Sequence, residues 1–214
     1  MATASRKMVF WEVDAQQDFV LPGGKLYVPG AERIIPNIKR LVGAAQKSRA
    51  FLVSSACAHE ANDPEFASFP QHCIRGTEGA RIVPEGLTQD YLIIPNHTSF
   101  VLGAGLFDHK QIVIEKQALD VFSNPHTNEI VKRLGAEATY VVFGVVTEHC
   151  VHFAAKGLRD RGRKVFVVED AIETLEAEES ERALGELKAL GARLVTTDEA
   201  IRMVESGSPA RAQH

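Results

Sequence analysis

Cys150 is the residue best placed for chemistry. It follows an apolar run, Val141 to Phe143, and a glycine-marked turn beginning at Gly144. Downstream, Val151, Ala154, Ala155 and Leu158 recur at helical spacing, and Gly162 reads as a stop. The pattern predicts a buried strand, a turn, and a helix carrying the thiol in its first turn. A thiol there meets the positive end of the helix dipole, which favours thiolate, and nearby backbone N–H groups would cradle an oxyanion. The alternative is a free cysteine that only packs.

Other reactive groups sit just past apolar runs. Asp14 follows Val13, Glu115 and Lys116 follow Ile114, and Cys57, His59, Glu65 and His72 follow the run at Phe51. A carboxylate, an ammonium and a thiol gathered at one edge make a nucleophilic set. The carboxylate takes the thiol proton, while the ammonium stabilises thiolate and keeps the carboxylate charged. Read singly, Asp14 would cap a turn, Lys116 would be a solvated strand-end lysine, and Glu115 and Asp120 would serve loop hydrogen bonds. His149 beside Cys150 suggests a dyad, but neighbours on a helix point about 100° apart and seldom meet. A redox pair of Cys57 and Cys150 would need Cα atoms within about 7 Å.

The elements that must position these groups alternate. Short Val/Ile/Phe-rich runs near 8–13, 51–53, 91–94, 111–114, 139–144, 164–168 and 193–196 are separated by helical patterns near 32–48, 125–134, 151–161, 177–190 and 198–204. Pro36 is tolerable only near a helix start. Residues 57–90 break the rhythm, and a loop of that length inside a compact domain is usually functional. The fold class is α/β: a three-layer α/β/α sandwich, Rossmann-like, with a mostly parallel sheet of about six strands. In such sheets function collects at the carboxyl ends of the strands. One domain over 1–214 is expected, with flexible tails at about 1–7 and 206–214. A net charge of −4 leaves no electrostatic footprint for nucleic acid or anionic membrane. No run approaches a membrane span, the N-terminus lacks a signal-peptide core, and the three cysteines are too few for a disulfide framework. A cytoplasmic location is the expectation.

Four ordered stretches carry a resemblance: Asp14-Ala15-Gln16-Gln17-Asp18-Phe19, Phe69-Pro70-Gln71-His72-Cys73-Ile74-Arg75-Gly76-Thr77-Glu78-Gly79-Ala80, Glu115-Lys116 with Asp120 and Phe122, and Gly144 to Val151. Across roughly residues 8–204 the chain resembles the isochorismatase-like cysteine hydrolases and, within them, the nicotinamidases. The resemblance implies Cys150 as nucleophile, Asp14 as general base and acid, and Lys116 as its charge partner. It also implies a cis peptide between Val145 and Val146, with the Val146 and Cys150 amides as oxyanion hole. Isochorismatases proper lack the cysteine, which argues against isochorismate. Phe19 and Phe69 take the places of an aromatic clamp for a flat ring; core packing is the alternative. A divalent metal, zinc foremost, would sit on Cys57, His59 and His72, with Glu65 as a possible further ligand. Cys57 stands where nicotinamidases carry aspartate, which makes the set softer. Cys73 reads as packing. The implied reaction is hydrolysis of a small amide, nicotinamide to nicotinate first, with ureido, carbamoyl or other aryl amides next. A non-enzymatic zinc or thiol protein is the remaining alternative. A homodimer or tetramer is implied by the resemblance alone. Glu12, inside the first strand, has no physical account beyond an edge location or a buried partner.

Overall fold

The computed structural model describes residues 8–48 and 50–206. The expected flexible tails lie outside the described residues, apart from Ser206, which closes the last helix. Among the described residues there are seven strands: β1 Met8–Val13, β2 Phe51–Cys57, β3 Tyr91–Ile94, β4 Gln111–Lys116, β5 Thr139–Val145, β6 Lys164–Glu173 and β7 Arg193–Val195. They form one sheet in the order β3-β4-β2-β1-β5-β6-β7, and every pairing is parallel. The expectation of about six strands falls short because both short edge runs, β3 and β7, pair fully. β1, β2 and β5 are buried along their whole lengths. That is why they read as mostly apolar runs rather than alternating ones, with Glu12 in β1 and Ser54 and Ser55 in β2 as buried exceptions.

The helices are α1 Gln17–Val20, α2 Ile35–Lys47, α3 Thr127–Leu134, α4 His152–Asp160, α5 Ala177–Ala189 and α6 Thr197–Glu205. α2 buries Ile38, Leu41, Val42 and Ala45, the stripe its spacing requires. Pro36 sits in its first turn, and the expected helix at 32–48 is divided there into a 3₁₀ turn, Ala31–Ile34, and α2 proper. Proline offers no N–H and suits only the first turn. α2 and α6 cover one sheet face over Phe10, Leu52, Phe143 and Phe166. α3, α4 and α5 cover the other over Trp11, Val53, Ile112 and Tyr140. The result is three layers, as the alternation predicts.

Three local departures matter for the site. β2 runs on to Cys57, which delivers that thiol in register with Lys116 of β4. β6 continues to Glu173 past a register shift against β5 between Val142 and Gly144; the exposed pair Glu169 and Asp170 interrupts its apolar pattern there. The loop after β2 is tied down by two short 3₁₀ turns, Pro64–Ala67 and Pro84–Gly86, and by bridges Gln16–Ile82 and His59–Ile74. Strand order grows outward from β1 in one direction through β2 and in the other through β5. The crevice at such a switch point is where open α/β sheets place their sites.

Candidate active site

Asp14 leaves β1 in the left-handed region at φ 49, a conformation that aspartate tolerates better than most residues. Its amide is held by the Ser55 carbonyl at 3.0 Å. Beside it Gly144, at φ 122, lies so close to β1 that a Cβ would collide with the Val13 carbonyl oxygen. Lys116 ends β4 and is fully buried. Its Nζ lies 2.9 Å from Asp14 Oδ2, 3.4 Å from Cys150 Sγ and 3.0 Å from Cys57 Sγ. Burial opposes the Lys116 charge. The Asp14 carboxylate foremost outweighs it and holds the ammonium protonated well above its ordinary range. Three residues far apart in sequence therefore meet at the strand ends, as expected.

The thiol sits in a helical turn, just past a kink. β5 is followed by a cis peptide, Val145–Val146, and then a wide turn, Thr147–Val151, in which His149 leaves helical geometry at φ −117, ψ −105. The Val146 carbonyl accepts from the His149 and Val151 amides, both at 3.1 Å. Past that kink Cys150 and Val151 keep helical backbone and lead directly into α4 at His152, so the thiol lies in the opening turn, as expected. Yet the resting sulfur is not pushed toward thiolate. Burial foremost, and then the Asp14 carboxylate, drive the Cys150 thiol well above its ordinary value against the pull of Lys116. The site holds a protonated thiol beside a carboxylate that can receive its proton. His149 forms no dyad: its ring packs edge-on against Phe69 at 6.4 Å. All three cysteines are free thiols.

Next to this trio, ligand-capable atoms of Cys57, His59 and His72 lie within 4.8 Å of one another, and all three residues are buried. The His59 Nδ1 is held by Asp63 at 3.0 Å and the His72 Nδ1 by the Pro70 carbonyl at 2.8 Å. Both rings thus keep Nε2 free of these acceptors, and among the described residues the buried His59 Nε2 has no hydrogen-bond partner. An orphaned imidazole nitrogen beside a thiol and a second imidazole, with the far ring nitrogens fixed by acceptors, suits a thiophilic divalent metal such as zinc. Burial, above all, holds His72 below its ordinary value, which favours the neutral ring a ligand must be. Glu65 is not in this trio; it lies with His59 and Asp63 in a second group. Phe19 belongs to the core and also meets the His72 ring at 5.2 Å. Phe69 spans the gap between His72, at 6.5 Å, and His149. Cys73 is buried beside the Gly79 carbonyl, at 3.9 Å, and acts as packing. A cavity of about 590 Å³ lies over Ala56, Cys57 and Val113, and neither Asp14, Lys116 nor Cys150 lines it.

Several supports escaped the sequence reading. Gln16 donates to the Cys57 and Ala80 carbonyls at 2.7 and 2.8 Å and accepts from the Cys57 amide at 2.7 Å. Asn124 donates to the Glu115 carbonyl at 2.8 Å and so fixes the backbone just before Lys116. Asp18 accepts from the Cys73 amide at 2.7 Å and pins the histidine loop to the start of the chain. Asp63 orients His59 and caps the turn at Glu65. Each is a polar residue whose partners lie in distant loops, and no periodicity announces such pairs. Gln16 and Asp18 were marked only as members of the stretch Asp14 to Phe19 that carries the resemblance, with no role attached.

The isochorismatase domain model matches residues 10–108 and 104–199 of the chain. A nicotinamidase of Escherichia coli K12 is 26% identical, aligned over 86% of this chain and 92% of that protein. A solved pyrazinamidase of Pyrococcus horikoshii in complex with zinc is 26% identical with a TM-score of 0.72, covering 89% of this chain and 99% of the other. An N-carbamoylsarcosine amidase from Thermoplasma acidophilum shares the fold at TM-score 0.71 and 22% identity, covering 90% and 98%.

Proposed function

The chain belongs to the isochorismatase family, and we propose that it is a cysteine-dependent amidohydrolase that cleaves a small amide to the acid and ammonia, with nicotinamide as the first substrate to test. The observation that carries this reading is the placement of Lys116 Nζ 2.9 Å from Asp14 and 3.4 Å from Cys150. Similarity to nicotinamidases along most of the chain supports the substrate.

The chemistry follows from a thiol that rests protonated. As Cys150 Sγ attacks the amide carbon, its proton passes to Asp14, so the nucleophile is generated during the attack. Lys116 keeps its charge throughout and balances the carboxylate before the transfer. The Val146 and Cys150 amides, at the mouth of the turn, are the groups positioned for the developing oxyanion. Asp14 then gives the proton to the departing nitrogen, ammonia leaves, and a thioester joins the acyl group to Cys150. Water, losing its proton to Asp14, adds to the thioester; the acid departs, and the proton returns to sulfur. Phe19 and Phe69 would hold a flat ring against the histidines. Cys57, His59 and His72 would hold a zinc ion, with Glu65 at its margin, and such an ion supplies a Lewis-acidic contact for a ring nitrogen or its bound water. Support for zinc comes from the unpartnered His59 Nε2 and from the zinc-bound pyrazinamidase relative.

A second reading has a specific observation behind it. Cys57 Sγ accepts from Lys116 at 3.0 Å, so the group at the aspartate position is already engaged by the catalytic lysine. A ureido or carbamoyl substrate, which needs no ring-nitrogen anchor, would tolerate that arrangement. We place the work in one domain built on the single sheet, and in a homodimer or tetramer. None of the described helices is long and apolar enough to cross a membrane. The test is ammonia release from nicotinamide by wild type and Cys150→Ala. Release that vanishes in the variant supports the full reading. Release from N-carbamoyl compounds alone moves the substrate to the second reading, and release that survives Cys150→Ala overturns the nucleophile.

A further inference from the structure

Glu148 is a buried carboxylate, 9% exposed, and among the described residues no lysine, arginine or histidine pairs with it. Its charge is met by the segment that joins β6 to α5. Oε1 accepts from the Leu175 and Glu176 amides at 2.9 and 2.8 Å, and Oε2 accepts from the Thr174 hydroxyl at 2.6 Å. The preceding residue adds a fourth tie, Thr147 Oγ1 to the Glu173 carbonyl at 2.9 Å. α5 begins after Glu176, whose own side chain makes no cap. Helix starts need acceptors for their first N–H groups and favour negative charge. Here the acceptor comes from elsewhere in the chain, from the second residue of the turn that holds Cys150.

We propose that Glu148 is a positioning residue for Cys150, clamping the nucleophile turn to the start of α5; this rests on the cysteine-hydrolase reading above. Only His149 separates Glu148 from Cys150, and its non-helical backbone gives the turn no continuous helical ladder. The Val146 carbonyl holds the turn from one side, and Glu148 holds it from the other. Without the second hold the thiol is free to swing away from Asp14 and Lys116. A misplacement of about 1 Å costs on the order of 100-fold in rate.

Glu148→Ala removes every acceptor. Glu148→Gln keeps Oε1 for the two amides and offers N–H to Thr174, whose hydroxyl then turns to the Glu176 carbonyl, 3.2 Å away. The expected result for Ala is a kcat for amide hydrolysis lowered roughly 10- to 100-fold with KM little changed, and for Gln a kcat close to wild type. Thr196→Ala, which removes the α6 cap on the Glu199 amide, is the control: it lowers Tm without moving kcat. Alkylation of Cys150 by iodoacetamide, followed by peptide mass mapping against pH, needs no substrate. In Glu148→Ala the midpoint of that profile moves down toward an ordinary cysteine, while Gln keeps the wild-type profile. If Ala does not fold, Glu148→Asp takes its place, with the same direction of shift. A variant with wild-type kcat and an unshifted profile, or Gln as impaired as Ala, overturns the proposal. If wild type hydrolyses no amide, the functional reading has failed, and the alkylation profile alone decides the placement of the thiol.

Discussion

Glu12 sits in the middle of β1, fully buried, and predicts an uncommon pH dependence of stability. Its Oε2 accepts from the Ser54 hydroxyl at 2.6 Å, and Ser54 in turn accepts from Gln111 at 2.7 Å. Its Oε1 has no partner and lies against Gly86, where a Cβ would collide with it. Burial, opposed by the Ser54 bond and reinforced by the Asp14 charge, raises Glu12 from 4.5 to about 8. The sign follows from the proton count. Below pH 4.5 both folded and unfolded chains carry the proton, and the stabilisation is complete. Between 4.5 and about 8 the unfolded chain releases it while the folded chain keeps it, so stability falls as pH rises. Above about 8 both are ionised and the loss is complete.

The difference of 8 − 4.5, or 3.5 units, sets a ceiling of about 5 kcal/mol at 1.36 kcal/mol per unit. About 3 to 4 kcal/mol of that falls between pH 5 and pH 8. Glu12→Gln removes the titration, keeps an acceptor for Ser54, and leaves a polar atom where one is already unpartnered. Urea unfolding of both proteins at pH 5, 6, 7 and 8 isolates the effect, because every other titrating group cancels in the comparison. The variant should gain on the wild type by roughly 1 kcal/mol per pH unit. Parallel stability curves would refute the buried, protonated Glu12.

Asp14→Asn should abolish hydrolysis yet speed alkylation of Cys150 by iodoacetamide at pH 8, because it removes a charge that raises the thiol; slower alkylation would contradict the resting-thiol picture. Zinc binding, measured by competition with a chromophoric chelator, should release one proton from Cys57 and strengthen about tenfold per pH unit near neutrality. Cys57→Asp should flatten that dependence, and an equal slope in the two proteins would remove Cys57 from the ligand set.

The layers, the strand sequence and the meeting of Asp14, Lys116 and Cys150 were legible because they rest on local signals: apolar runs, helical spacing, and polar residues just past strands. Asp14, Lys116 and Cys150 needed only the parallel topology to bring them together. What was not legible depended on partners far along the chain. The spacing of Val151, Ala154 and Leu158 marks the helix that Cys150 enters but not the wide turn and the non-helical His149 before it, which the Val146 carbonyl ties together. The activated thiolate failed for a related reason. Dipole and ammonium were visible in the pattern, whereas the burial that outweighs them appears only when the sheet closes. Glu12 lacked an account for the same cause, its Ser54 and Gln111 partners lying on strands β2 and β4.

The charge balance at the strand ends explains how Cys57 fits the site. Lys116 and Asp14 form a buried pair, and breaking such a pair leaves a charge that the interior cannot solvate. Cys150 is held well above its ordinary value, and burial first, then Asp14, pushes Cys57 up to about 12. Both thiols are therefore neutral at physiological pH, and ammonium and carboxylate cancel. A carboxylate at position 57 would add an unbalanced negative charge within reach of Asp14, and that charge would call for a cation. With cysteine there, the catalytic centre is electrostatically closed before any metal arrives, and metal binding becomes a separate event that costs a proton. The pair Asp14 and Lys116 can then keep its geometry in the absence of the ion. On this argument the thiol at position 57 would uncouple the integrity of the proposed nucleophile site from metal occupancy, while Cys57, His59 and His72 together remain a group able to hold a metal.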